Sequence, residues 1–527
     1  MSAIVELSPM TRSIFSNWFG LAALAVCTAV LTPVMIARLG ALDYGVWVLL
    51  GSVLDYYGLL DIGMRGAMFR YIGTFRGSEA REEIDRTFSS SLLIVVATAL
   101  VVGVLSVVVA IVLPHSLPLK GHSVAVYREL LLLLGFSVAI TFPVRMLATY
   151  LSAHQRWDLF NAAGTASIVM RAIAIIGVLK LGYGIVAVAV CTLVVSLISL
   201  AQHIALVRYA DPDVRISLSL ISRKRMGQML GFSLRSLLVS IGDSLRFSSD
   251  AAVITAVMNV ALVTPFSVAT RLIECFKSVV IAAGGPVLGL MTELEGKKEG
   301  EESRQLLLRS TRMLGFLSVL GGVLLVVDGR ALLSMWIGSE LKLAYPVLII
   351  LAVGYTVNLA MHPLLLIVIA KSKHGALGAW TIAEGLLNIG LSIVWGRKYG
   401  LIGIALGTIV PMLMVKLIVQ PYYALRAAEM TPWTYVSDGL ARPLLITPLF
   451  AFSAASIVRY ASLSFASFVA TVLVQLAIFL LMTWVLGLSG GEREALRSHA
   501  HRYLGHTFLG VTSQPLASAK PIFVEKD

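Results

Sequence analysis

Charge is scarce in this 527-residue chain: Asp, Glu, Lys and Arg make up 13% of it, against about 25% in a soluble domain. That shortage excludes an ordinary water-soluble globule. Cysteine is nearly missing as well. Cys27, Cys191 and Cys275 all fall in apolar stretches and form no CxxC pair, so neither a disulfide framework nor a zinc site is expected. Enzyme signatures are absent: there is no HExxH, no phosphate-binding GxxxxGK(S/T), and no GxSxG at a suitable turn. No connecting segment is long enough to hold a glycosyl-transfer or ligase site. Without a nucleotide-binding loop, energy for any transport comes from an ion gradient or from consumption of the substrate.

What the chain has is apolar length. Hydrophobic residues make up 58% and mean hydropathy is +0.88. Runs near the ~20 residues of a spanning helix recur from about Ser16 to about Leu488. They predict an all-α integral membrane protein with about fourteen transmembrane helices. The first run follows Arg12 as a signal peptide would, but it extends to about Ala37 and a second span follows directly, so it reads as the first membrane helix. Three charged connections stand out: RGSEAREEIDR from Arg76, the basic Arg208–Arg225 cluster, and ELEGKKEGEESRQ from Glu293. Beyond Leu488 a short basic surface helix and a loose tail are expected.

The net charge of +13 is not a nucleic-acid signature. With the N-terminus in the cytoplasm, Arg76, Arg81, Arg86, Arg156, Arg208–Arg225, Lys297, Lys298, Arg304, Lys371, Lys373 and Arg426 fall on the inner side. The outer connections are poorer in Lys and Arg, which places both termini inside. An internal repeat is also legible. ALDYGVWV from Ala41 aligns with ALVTPFSV from Ala261, and KLGYGIVAVAV from Lys180 with GRKYGLIGIAL from Gly396. The expected organisation is therefore two pseudo-symmetric six-helix lobes, 1–207 and 226–427, an extra helix pair, 436–490, and a cytoplasmic tail, 491–527. Parallel repeats of this kind occur in secondary transporters, with the substrate site between the halves.

Charges within the spans are the candidate functional groups, because an ionised side chain at bilayer depth is costly unless it faces protein or a polar cavity. The densest set lies in the hairpin Arg235–Pro286. Asp243, Arg246 and Asp250 fall on one helical face, and Arg271, Glu274 and Ser278 repeat the pattern on the next helix. In span two, Tyr57, Asp61 and Arg65 are spaced i, i+4, i+8. The candidate substrate-binding cations are Arg65, Arg145, Arg171, Arg235, Arg246, Arg271 and Lys277. The carboxylates Asp61, Asp243, Asp250, Glu274 and Glu384 either pair with them or bind a coupling proton or Na⁺. Surplus buried cations suit an anion, and Arg suits phosphate oxygens. Asp61–Arg65 and Asp243–Arg246 are the candidate internal pairs. Arg145, Arg171 and Arg271 lack an acidic neighbour four residues away and are the stronger substrate contacts. Lys416 and His362 read as satisfied residues near an interface. No metal ligand set and no cofactor is expected.

The stretch RLGALDYGVWVLLGSVLDYYGLLDIGMRGAMFRYIG, Arg38–Gly73, resembles the start of the polysaccharide transporters, the O-antigen and exopolysaccharide flippases of the multidrug/oligosaccharidyl-lipid/polysaccharide exporter superfamily. SSDAAVI from Ser248 and VATRLIECFKSVVIAAGGPVLGLMTEL from Val268 are similar to that family's seventh and eighth helices, and GIVAVAV and GLIGIAL to its sixth and twelfth. The resemblance spans roughly Trp18 to Ala427. It implies a transporter, not an enzyme: two six-helix lobes around a cationic lumen that moves a polyprenyl-pyrophosphate-linked oligosaccharide from the inner to the outer leaflet of a bacterial cytoplasmic membrane. Asp61, Arg65, Asp250 and Arg271 match the motif positions; the other charges rest on depth and sign alone. The implied partners are that glycolipid, membrane lipids, and polysaccharide polymerase or export components. Spans thirteen and fourteen depart from the twelve-helix core; related lipid II flippases carry such a pair as a groove for the lipid tail. Two other readings stay open at this level: a multidrug/cation antiporter of the same superfamily, and a non-transporting scaffold of a glycan-export assembly.

Overall fold

The computed structural model describes residues 9–61, 64–77, 80–116, 122–229, 249–338, 342–371, 375–459, 464–488, 490–494 and 497. Among these there is no β-strand. Eleven helices are long and apolar enough to cross a membrane. Two of them contain a break. Ala22–Phe69 includes Gly40 and Gly378–Ala428 includes Gly400, with φ of +80° and +63°, a region open chiefly to glycine. Each therefore holds two expected spans. Residues 230–248, within the seventh expected span, lie outside the described residues, and on this count the helices accord with about fourteen spans.

The first unit consists of the described parts of Met1–Val268 and Thr381–Thr408. Its helices are α1 (Pro9–Asp55), α2 (Met64–Gly77), α3 (Arg81–Ser116), α4 (Val124–Ala153), α5 (Trp157–Lys180), α6 (Ile185–Ala210) and the short α7 (Asp250–Val257). α4 packs on α3 and α6, and α1 on α5. In lipid, helices associate by close fit, since the solvent is as apolar as they are. Gly135 of α4 shows this: a Cβ there would lie 2.3 Å from Ser106 Oγ on α3. The segments aligned as a repeat also touch. Thr264 Oγ1 donates to the Ala41 carbonyl, and a Cβ on Gly45 would meet the Val260 carbonyl oxygen at 2.3 Å.

The second unit holds the described parts of Ala269–Trp380 and Ile409–Asp527. It contains most of α8 (Val263–Lys297), then α9 (Gly300–Val327), α10 (Gly329–Ile337), α11 (Ala344–Ala360), α12 (His362–Ala370), the ends of α13 (Gly375–Met414), α14 (Gln420–Ala428), α15 (Ala441–Val458) and α16 (Phe465–Met482). The extra pair, α15 and α16, buries Ile446, Phe450 and Phe479 against Phe316, Val319 and Val323 of α9. The start of the C-terminal segment is also tied in: Glu492 pairs with Arg312 at 2.7 Å.

Two connections are shorter than the sequence suggests. Helix α3 begins at Arg81, with Glu82 and Glu83 in its first turn, where acidic side chains complement the helix dipole. Most of RGSEAREEIDR is thus helix, and the basic connection after α6 docks on it. Arg81 Nη2 donates to Asp211 Oδ1 at 2.8 Å, and Tyr150 Oη donates to Asp211 Oδ2. Arg225 pairs with Glu83 and lies 4.7 Å from the Phe75 ring centroid. Likewise α8 reaches Lys297 and α9 starts at Gly300, so little of ELEGKKEGEESRQ is loop. Lys371 Nζ holds Glu295 Oε2 at 2.9 Å there.

Candidate functional site

A cavity of about 490 Å³ opens in the first unit between α2, α4, α5 and α6, with Gly20 and Leu24 of α1 on its edge. Three of the predicted cations line it: Arg65 from α2, Arg145 from α4 and Arg171 from α5. Asn161, Thr141, Thr165, Ser167, Ser196, Ser199 and His203 supply neutral polar groups. A polar cavity within helices of this apolarity is the arrangement that intramembrane charges require.

Among the described residues the carboxylate that pairs with the cations is Asp61, and Asp55 at the end of α1 adds a longer-range negative charge to Arg145. Arg65 Nε lies 2.8 Å and Arg145 Nη1 3.9 Å from Asp61 Oδ2. The closer contact is an ion pair whose N–H does not point at the oxygen, because Asp61 Oδ2 accepts no hydrogen bond among the described residues. The guanidinium donors of Arg65 are therefore not consumed by Asp61. Arg171 makes no ion pair among the described residues, and its buried Nε has no acceptor. Guanidinium groups offer forked donors whose geometry matches phosphate oxygens.

The predicted i, i+4, i+8 face of span two is not a single helical face. Helix α1 ends at Asp55, and Tyr56–Asp61 is a tighter 3₁₀ segment. With three residues per turn, Tyr57 and Asp61 do not stack. The Asp61–Arg65 pair forms all the same, across the join to α2.

The other predicted residues lie elsewhere. Asp250 starts α7 and is buried, with both carboxylate oxygens within reach of Thr408 Oγ1, at 3.2 and 3.3 Å. Glu384 is buried on α13. Arg271, Glu274 and Lys277 sit on the part of α8 that belongs to the second unit, where Lys277 Nζ pairs with Glu274 Oε1 at 2.7 Å and Arg271 is exposed. Arg235, Asp243 and Arg246 lie outside the described residues. Lys416 Nζ donates to Gln420 Oε1 at 2.9 Å, and the His362 ring packs over Gly284.

Two features escaped the sequence reading. His203 is buried at the cavity, with Ser199 and Ser196 one and two turns before it on α6. That spacing puts a polar stripe on one face of an otherwise apolar helix, and it was the available signal. The second is Asp211, the C-terminal cap of α6. An acid at that end opposes the helix dipole, which implies a compensating partner. Burial pushes its carboxyl pKa up, but the hydrogen bonds from Arg81 and Tyr150 and the charges of Arg81 and His154 outweigh this and hold it below the ordinary value.

Residues 35–345 match the family described as "Polysaccharide biosynthesis protein", and the chain belongs to that family. No curated protein sequence matches it. Among solved structures, the chain is similar to the lipid II flippase MurJ in an inward closed conformation, with TM-score 0.70 and 15% identity over 93% of this chain and 99% of that one. It is also similar to an inward-facing multidrug resistance MATE family transporter of the MOP superfamily, with TM-score 0.65 and 15% identity over 80% of this chain and 99% of that one. A third is a MOP superfamily transporter from Pyrococcus furiosus, described as having a binding pocket of reverse polarity, with TM-score 0.56 and 17% identity over 80% and 95% of the two chains. The fold is that of MOP superfamily transporters in a multi-pass membrane protein.

Proposed function

We propose that this member of the polysaccharide biosynthesis family flips a polyprenyl-pyrophosphate-linked oligosaccharide from the inner to the outer leaflet of the bacterial cytoplasmic membrane. The observation that carries the reading is the cavity lined by Arg65, Arg145 and Arg171, in which Asp61 is the one carboxylate paired with them among the described residues. A pyrophosphate supplies the missing negative charge in a geometry that guanidinium forks match. The hydroxyl and amide groups of Thr141, Asn161 and Ser199 beside them suit the first sugar. Similarity of fold to a lipid II flippase supports the same substrate class. In this reading the halves 1–207 and 226–427 act as two lobes in alternating access, both termini are cytoplasmic, and the polymerase and export components receive the product. A drug-cation antiporter would call for acidic groups in surplus, and this cavity holds cations in surplus.

The test is the sidedness of the lipid-linked repeat unit in cells with and without the chain. Accumulation in the inner leaflet on deletion, reversed by the wild-type chain but not by Arg171→Ala at equal membrane levels, is the expected result. Unchanged sidedness on deletion would refute the assignment.

A further inference from the structure

Among the described residues that line the cavity, His203 is the one titratable side chain besides the three arginines. Its Nδ1 lies 2.8 Å from the Ser199 carbonyl oxygen, one turn back on α6. A carbonyl oxygen only accepts, so Nδ1 carries a proton in every state of this contact. The neutral ring is then fixed with its lone pair on Nε2. That atom points away from the Ser199 carbonyl and has no hydrogen-bond partner among the described residues. Ser199 is itself held, its hydroxyl 2.9 Å from Ser167 Oγ on α5, so the ring is fixed from behind.

The charges around it set the conditions for a second proton. Arg145 from α4, Arg171 from α5 and Arg65 from α2 line the same cavity; among the described residues Asp61 pairs with Arg65 and Arg145, Asp55 at the end of α1 acts on Arg145 from farther off, and Gly20 and Leu24 of α1 complete the edge. Without an anion, three guanidinium charges oppose a fourth cation. A bound anion reverses that balance, because it offsets the guanidinium charge and offers an oxygen to Nε2.

Resting on the reading of the cavity as a pyrophosphate site, we infer that His203 makes anion binding proton-linked: its Nε2 takes one proton from solvent as the pyrophosphate enters and donates it as a charge-assisted hydrogen bond to a phosphate oxygen. No covalent bond other than that N–H forms or breaks. Proton and anion then favour each other's binding by the same factor. The complex of protein and substrate then carries one negative charge fewer within the membrane interior. The linkage sets the direction: affinity for the anion rises as pH falls through the range where imidazole titrates.

The experiment is calorimetric titration of the full-length chain in detergent micelles with farnesyl pyrophosphate. It is run at about pH 6 and about pH 8, which bracket the imidazole range, in pairs of buffers with different ionisation enthalpies so that proton uptake is counted. His203→Gln and His203→Asn each keep an amide donor and cannot titrate. Wild type is expected to take up as much as about one proton more per probe than either variant, and to gain about fivefold to tenfold more affinity between about pH 8 and about pH 6. Equal proton uptake and equal pH dependence in all three proteins would overturn the inference while leaving the cavity assignment standing, provided that Arg171→Gln loses binding. Wild-type uptake no greater than the free probe's own titration accounts for would overturn it even if neither variant folds. Absence of wild-type binding at both pH values would overturn the cavity assignment and the inference together.

Discussion

Arg65 and Arg145, from different helices, converge on one oxygen atom, Asp61 Oδ2, at 2.8 and 3.9 Å. One carboxylate thus tempers two guanidinium groups and satisfies neither, because the closer contact lacks hydrogen-bond alignment. On the proposed reading Asp61 offsets cavity charge, and its removal is predicted to have an effect opposite in sign to removal of either arginine.

The order of affinity for a prenyl pyrophosphate is therefore expected to be Asp61→Asn above wild type, and wild type above Arg65→Ala and Arg145→Ala. Loss of one guanidinium contact to a buried phosphate costs about 2–5 kcal/mol. The arginine variants should accordingly lose tenfold or more in binding and fail to restore export at normal membrane levels. Titration of purified variants with farnesyl pyrophosphate checks the order. Weaker binding by Asp61→Asn would show that the carboxylate holds the site in shape and does not merely offset charge.

Arg171 differs from the other two because it has no acidic partner among the described residues and its Nε lacks an acceptor. Its role is then geometric as well as electrostatic. Arg171→Lys keeps the charge but loses the fork, and by that argument it recovers only part of what Arg171→Ala loses. A lysine variant with full transport in the sidedness assay would reduce Arg171 to a point charge.

Asp211 carries a pH prediction outside the spans. Its folded pKa is held below the ordinary carboxylate value by Arg81, Tyr150 and His154 despite burial. A depressed folded pKa means that the stabilisation is fully present above the unfolded value, near 3.9, and is lost as pH falls through the folded pKa. Thermal unfolding in detergent should show wild type above Asp211→Asn by about 1–3 kcal/mol near neutral pH. The gap should close in acid. A gap that is constant down to about pH 3 would mean that the charge on Asp211 does not carry the contact.

How far the fold was legible in sequence follows from what sets each feature. Runs of apolar residues fix the spans because the bilayer imposes their length, and so the described spans were legible while their ends, and the 3₁₀ segment Tyr56–Asp61 inside the second, were not. Those ends moved where charged residues continue a helix past the lipid, as Arg81–Asp85 do in α3 and Leu294–Lys297 in α8. Three cavity cations were legible from depth and sign. Their convergence was not, because Arg65, Arg145 and Arg171 meet through the packing of three helices and spacing within one helix carries no information about that. His203 is not marked by any charge pattern in the sequence; only its register with Ser196 and Ser199 sets it on the face that lines the same space.

Asp328 supplies a pH prediction of the opposite sign. It caps the C-terminal end of α9 as Asp211 caps α6, and it is 4% exposed. Its partner is an amide in place of an arginine: Gln475 Nε2 of α16 donates to Oδ1 at 3.3 Å, while Oδ2 and Gln475 Oε1 have no partner among the described residues. Burial pushes the Asp328 carboxyl up to about 6, and the Gln475 hydrogen bond draws it back only in part. A folded value above the unfolded one, near 3.9, means that the folded state binds the extra proton. Stability is then greatest below about pH 4, falls as pH rises to about 6, and is flat beyond that, with a total loss of about 2–3 kcal/mol. Asp328→Asn removes the ionisation and keeps the shape. It should unfold at a higher temperature than wild type at about pH 8 and at the same temperature at about pH 4. An asparagine variant that is the less stable protein at about pH 8 would show that the carboxylate is ionised and well held. The expected result would instead identify the junction between α9 and α16 as a contact that weakens as pH rises from about 4 to about 6.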